Sequence, residues 1–146
     1  MATTALIAYQ NNDDQIIAAS VSSDGYMEYT GQNLHDYYNS YHLAEQLIIS
    51  GDLYQVTPSI TDIRRFKSRI LSNNIYDSYD DFMKDRRPWT SKPDVFLNGH
   101  LHVYLFMEDA WFYYKEGTLY LLSEFIKPKK QSWLSKIVSW FYNDHI

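Results

Sequence analysis

The chain contains no cysteine. That excludes disulfide scaffolds, thiolate-ligated zinc and a cysteine nucleophile. Glycine and proline are sparse, five and four residues in 146. There is no glycine-rich phosphate loop, no GxSxG and no HExxH. The sequence therefore names no catalytic residue, no metal ligand set and no cofactor. Low-complexity segments and internal repeats are also missing. No apolar run approaches the roughly 20 residues that cross a bilayer. The opening MATTALIAYQ lacks the basic start and apolar core of a signal peptide. These absences lead to the expectation of a soluble protein of a reducing, intracellular compartment. The last absence concerns charge: from Met1 to Ile63 there is no lysine or arginine.

What is present fits one globular domain spanning residues 1–146. Apolar residues make up 45% and charged residues 21% of the chain, enough for one hydrophobic core without composition-driven disorder. Tyrosine is abundant, at 14 residues. Its flat apolar body and polar tip suit interfaces, and its strand propensity suits sheets. The net charge of −5 is unevenly spread. The span without lysine or arginine carries eight carboxylates: Asp13, Asp14, Asp24, Glu28, Asp36, Glu45, Asp52 and Asp62. The basic residues all follow from Arg64 onward. An acidic face would steer the chain toward a basic protein surface.

Patterning gives a coarse element order. Thr4–Gln10 and Gln15–Ser22 alternate as strands around the turn cluster Asn11–Asp14. Asp24-Gly25 fits a two-residue hairpin turn leading into a short extended segment, Tyr26–Thr30. Gln32–Tyr38 reads as a short helix with Leu34 and Tyr38 on one face. Ser40 caps a second helix over Tyr41–Ser50, whose apolar face is Leu43, Leu47 and Ile48. Gly51 takes the left-handed position after that helix. An apolar stripe of Ile63, Phe66, Ile70 and Leu71 predicts a third helix over 62–72. Asp80–Arg87 is a fourth. His100–Met107, Trp111–Lys115 and Thr118–Phe125 form a second strand block, with turns at Glu108-Asp109 and Glu116-Gly117. Gln131–Tyr142 is a terminal amphipathic helix. The fold class expected is α+β: an antiparallel sheet built from N-terminal and C-terminal strands, helices from the middle of the chain on one face, and a C-terminal helix.

The stretch Ser22–Leu53 carries a resemblance. Asp24, Gly25, Tyr26 and Gly31 form DGYxxxxG, followed by Leu34 and Tyr37 or Tyr38. Leu47, Ile48, Gly51, Asp52 and Leu53 then form LIxxGDL. Together with the aromatic segment Val103–Gly117, this resembles a family of small bacteriophage proteins with a Trp- and Tyr-rich terminal hairpin. Ser22 and Ser23 stand where that family carries a larger residue and a tryptophan. Residues Pro58 to Gly99 and the terminal helix lie outside the match. The resemblance implies phage origin and action in the cytoplasm of a bacterial host; it implies no particular activity.

Several residue sets bear on function. His100 and His102 share a strand face but lack a third ligand, so they read as a polar face, not a metal site. The pairs Asp13-Asp14 and Asp80-Asp81 suit a loop and a helix start better than acid–base work. Arg64 to Arg69, with Lys84, Arg86 and Arg87, would meet phosphates, but an acidic chain makes nucleic acid an unexpected partner. Trp133, Ile137, Trp140 and Phe141 line one side of the terminal helix. They suit a core or homodimer contact, and less well a membrane surface. The expected role is a non-catalytic accessory protein, of host-takeover or anti-defence type, that binds and inhibits or redirects a host protein. Its contact residues are expected to be Asp24, Glu28, Asp36, Glu45, Asp52, Tyr26, Tyr37, Trp133 and Trp140. The alternatives are a small nucleotide-binding enzyme or ligand sequestrant, and a structural self-assembling module.

Overall fold

The computed structural model describes residues 3–66, 75–84, 102–115 and 118–127. A six-stranded mixed sheet runs through it, flanked by three α-helices. The strands are β1 (Ala5–Gln10), β2 (Ile16–Val21), β3 (Ile75–Tyr76), β4 (His102–Met107), β5 (Ala110–Lys115) and β6 (Thr118–Leu121). Their spatial order is β3-β2-β1-β4-β5-β6. The helices are α1 (Gln32–Tyr37), α2 (Tyr41–Ile49) and α3 (Tyr79–Lys84).

The sheet is not wholly antiparallel. β1 pairs with β4 in parallel, with Ala5 opposite His102 and Tyr9 opposite Phe106. The other neighbours are antiparallel. Two antiparallel blocks from opposite ends of the chain thus join at a parallel seam. That seam lies at the centre, where strands are covered on both faces. β1 accordingly reads as an almost unbroken apolar run, with Ala5 to Tyr9 all buried.

The pleat splits the core in two. Ala5, Ile7, Tyr9, Ala19, Val21, Tyr104, Phe106 and Trp111 face α1 and α2, meeting Leu34, Tyr38, Ala44, Leu47 and Ile48. Leu6, Ala8, Ile16, Ala18, Val103 and Leu105 face the other way and meet Phe82 of α3. The helices therefore do not share one face. α3 covers the second face because a sheet whose strands are apolar on both sides needs two covers.

Local signals placed both helices of the first layer. The Ser40 hydroxyl accepts from the Leu43 N–H at 3.2 Å, capping α2. Gly51 has φ 100° and its N–H reaches the Ile48 carbonyl at 3.1 Å, closing the helix. That conformation is costly for any residue with a Cβ. On α2 the buried residues are Ala44, Leu47 and Ile48; Leu43 is exposed.

Two expectations fail for a common reason: tertiary contacts override local chemistry. Asp24-Gly25 does not start a hairpin. Asp24 takes φ 54°, but Gly25 instead lies against β1, its N–H donating to the Thr3 carbonyl at 2.8 Å. A Cβ on Gly25 would fall 2.7 Å from the Ala5 Cβ. The glycine is there for close approach. The following residues, Met27–Gly31, form a π-type helical turn, not a strand. Similarly, Ile63–Phe66 is not helical. After a single 3-10 turn at Ile60–Asp62, Ile63 is extended at ψ 125°. Tyr54 N–H donates to the Arg64 carbonyl and Phe66 N–H to the Asp52 carbonyl, pairing the two segments around Leu53. The remainder of that expected helix, residues 67–72, lies outside the described residues, as do His100, the Glu116-Gly117 turn and the terminal helix with Trp133 and Trp140.

Candidate functional site

Two regions gather polar chemistry on the surface. The first is the end of the sheet where the β1–β2 and β4–β5 turns emerge. Because β1 and β4 are parallel neighbours, turns far apart in sequence lie side by side. They border a depression of about 380 Å³ lined by Asn11, Asn12, Asp14, Tyr41, Phe106, Glu108 and Asp109. Asn11 organises the first turn: its Oδ1 accepts from the N–H of Asp13 at 3.0 Å and of Gln15 at 2.9 Å. The second turn has positive φ at both central residues, Glu108 at 51° and Asp109 at 61°. Asp14 is also left-handed, at 61°. Asp13, Asp14, Glu108 and Asp109 are all exposed. Tyr41, at the start of α2, closes the depression toward Glu45. Burial raises its pKa, and hydrogen bonding and charge at Glu45, with Asp13, raise it further.

The second region is an open cleft of about 840 Å³ beside the Leu53 segment. Ser23, Tyr54, Gln55, Thr57, Asp62, Arg64 and Arg65 line it. The buried Tyr38 hydroxyl donates to the Thr57 carbonyl at 2.7 Å. Burial pushes the Tyr38 pKa up to about 12, moderated by nearby Arg65 and reinforced by Asp62. Arg65 is half-buried and donates from Nη1 to the Gly51 carbonyl at 3.0 Å. Burial also lowers the Arg65 pKa, since desolvation disfavours its charge. Tyr54 packs on Phe66 with ring centroids 3.9 Å apart, yet stays 44% exposed. Gln55 Nε2 donates to Asp24 Oδ2 at 2.5 Å, tying the cleft to the DG turn.

The expected contact residues do not form one acidic face. Asp24 is bonded by Gln55, and its carbonyl receives the Thr30 hydroxyl at 2.7 Å. Asp36 accepts from Gln32 Nε2 at 2.7 Å and pairs with His35 Nδ1 at 3.2 Å. Asp52 Oδ1 accepts from the Ser20 N–H at 2.9 Å, pinning α2's exit to β2. Glu45 is half-buried beside Tyr41, near Tyr9. Glu28 is exposed and lies on the side of Tyr104 and Tyr113. Tyr26 and Tyr37 are exposed, and Tyr26 sits 6.3 Å from the Tyr29 ring beside Asp24. Asp24 reaches the cleft through Gln55, and Glu45 reaches the acidic end through Tyr41.

Sequence reasoning singled out Arg64 and Arg65 but placed them on a helix. It treated Asp13-Asp14 and Glu108-Asp109 as unrelated turns. Proximity of those turns follows from the parallel seam, for which no local signal exists. His102 is drawn into an aromatic stack: its Nδ1 lies 2.6 Å from the Tyr113 Oη, against Tyr104. Tyr104 in turn donates to the Gly25 carbonyl at 2.8 Å, holding the DG turn down. Among the described residues no three His, Asp or Glu side chains converge as a metal site. No described helix is long and apolar enough to cross a membrane. Comparison with protein-family profiles, curated proteins and solved structures gives no match.

Proposed function

We infer that the chain is a phage accessory protein acting in the bacterial cytoplasm, which binds a host protein and inhibits or redirects it without chemistry of its own. The observation that carries this reading is the acidic end of the sheet. Three exposed carboxylates, Asp14, Glu108 and Asp109, line a shallow depression, and exposed Asp13 adjoins Asp14 in the same turn. Clustered charge of one sign focuses the field and speeds encounter with a basic surface. Tyr41, half-buried at the depression, supplies the apolar contact that charge alone lacks. The family resemblance of Ser22–Leu53 supports the phage setting.

The test is retention of a host protein from bacterial lysate on the immobilised chain, compared with the variant Asp13→Asn, Asp14→Asn, Glu108→Gln, Asp109→Asn. One stoichiometric partner with a basic surface, held by the parent and released by the variant, is the expected result. Equal retention on both would remove the acidic end from the binding surface. Recovery of no partner from either would sink the reading.

A further inference from the structure

The cleft at the Leu53 segment is distinct from the acidic end and has chemistry of the opposite sign. The first 63 residues contain no lysine or arginine, and the first two that appear, Arg64 and Arg65, both open into this one cleft. Tyr54 N–H bonds the Arg64 carbonyl and Leu53 pairs with Arg65, and this pairing lays the two residues along the cleft that both line. Neither guanidinium is ion-paired with a described carboxylate, Asp62 included. Arg65 is half-buried and spends a donor on the Gly51 carbonyl, from a fork that carries five. A desolvated charge without a counter-charge is costly, and an incoming anion offsets that cost.

The remaining lining narrows the ligand. Tyr54 is braced from behind by Phe66 and shows an exposed ring, a platform for a flat aromatic group. Gln55 uses its amide nitrogen on Asp24, which leaves its carbonyl oxygen to accept from a base edge. Asp62 supplies a carboxylate suited to a pair of sugar hydroxyls. Ser23 and Thr57 donate their hydroxyls to backbone carbonyls, Tyr54 and Ser59 respectively, and so present oxygen lone pairs to the cleft. Two arginines, one carboxylate and one aromatic wall match a small anion with a ring and a sugar.

We propose that this cleft binds a ribonucleoside monophosphate, with the phosphate on Arg64 and Arg65, the ribose toward Asp62 and the base against Tyr54. Arginine pairs grip phosphate oxygens in a planar, bidentate manner that lysine does not reproduce. A mononucleotide fits better than an RNA strand. The net charge of −5 repels a polyanion more strongly than it does a single phosphate held by the two arginines.

Titration followed by amide chemical shifts tests this on the full chain, using adenosine monophosphate, inorganic phosphate, adenosine and a short single-stranded oligoribonucleotide. Saturable binding of the monophosphate below about 1 mM is expected, with phosphate and adenosine each at least about tenfold weaker. Arg64→Gln and Tyr54→Ala are each expected to weaken binding about tenfold, the loss of one charged or one stacking contact. Arg64 is exposed and its side chain is in no described ion pair, so its variant reports on binding apart from folding. No saturation by the monophosphate at about 5 mM would overturn the proposal. So would unchanged affinity in both variants, phosphate binding as tightly as the nucleotide, or tighter binding of the oligoribonucleotide. Because these residues lie outside the acidic end, failure here leaves the host-protein reading standing.

Discussion

Glu108 and Asp109 hold positive φ angles that asparagine and glycine adopt far more readily. At a two-residue turn flanked by the Met107–Ala110 pair, Glu108→Asn with Asp109→Gly is expected to stabilise the fold by about 1 kcal/mol. Urea midpoints measure that gain. The same variant removes two of the four carboxylates at the acidic end, so higher stability and weaker host-protein retention are expected together. Gly25 behaves in the opposite sense. Gly25→Ala would press a methyl to 2.7 Å from the Ala5 Cβ and 2.8 Å from the Thr4 carbonyl carbon. The backbone cannot yield there without lifting the turn off β1. The expected loss is about 1–3 kcal/mol, read from the same denaturation curves. Both residues were visible in the sequence as turn formers. For Glu108 that was sufficient, because its turn is local. For Gly25 it was misleading, because the reason for glycine lies in a strand about twenty residues earlier in the chain.

Among elements, α2 was the most legible, since both of its ends are set by neighbouring atoms. Ser40→Ala should cost about 1 kcal/mol by orphaning the Leu43 N–H. A loss of that size in thermal or urea denaturation, with the fold retained, would be the check. The β4–β5–β6 block was legible for the same reason, as alternation and short turns need no distant partner, but the strand expected over Thr118–Phe125 stops at Leu121, where a 3-10 turn over Leu122–Glu124 buries Leu122. The parallel joining of β1 to β4 was not legible, because it closes a loop of about two thirds of the chain and leaves no mark in either strand beyond apolarity. Nor was the placing of α3 against the second face, which follows only once that seam exists. The segment Ile63–Phe66 shows the limit of periodicity. Its apolar spacing suits a helix, but backbone bonds to Asp52 and Tyr54 make it extended. That single change carries Arg64 and Arg65 from a solvated helix face into the cleft. The proposed nucleotide site was therefore readable as residues and unreadable as a place.

For the molecule as a whole, the buried tyrosines impose a pH limit. Tyr9, Tyr38 and Tyr104 are each at most 2% exposed. Burial raises Tyr9, with Glu45 and then Tyr41 adding to it, to about 12. Burial likewise raises Tyr38 to about 12, and it drives Tyr104 well above the usual range. Tyr38 and Tyr104 also donate their protons to the Thr57 and Gly25 carbonyls, bonds that a phenolate cannot make. In the unfolded chain all three ionise near about pH 10. Above that pH the folded state holds protons that the unfolded state has lost, so stability falls as pH rises. Their contribution is complete below about pH 10 and, for Tyr9 and Tyr38, is spent as pH passes about 12. With three such groups the limiting slope is about 4 kcal/mol per pH unit. Urea midpoints measured across this window should decline steeply, while phenolate absorbance in the native protein lags behind that of free tyrosine. Tyr38→Phe removes one of the three protons and should flatten the decline by about a third, on top of a constant loss of about 1 kcal/mol for the missing bond to Thr57. A profile as steep in that variant as in the parent would mean that Tyr38 ionises no differently in the folded and unfolded chain. It would also mean that the Tyr38 hydroxyl is wetter than its burial and its bond to the Thr57 carbonyl imply.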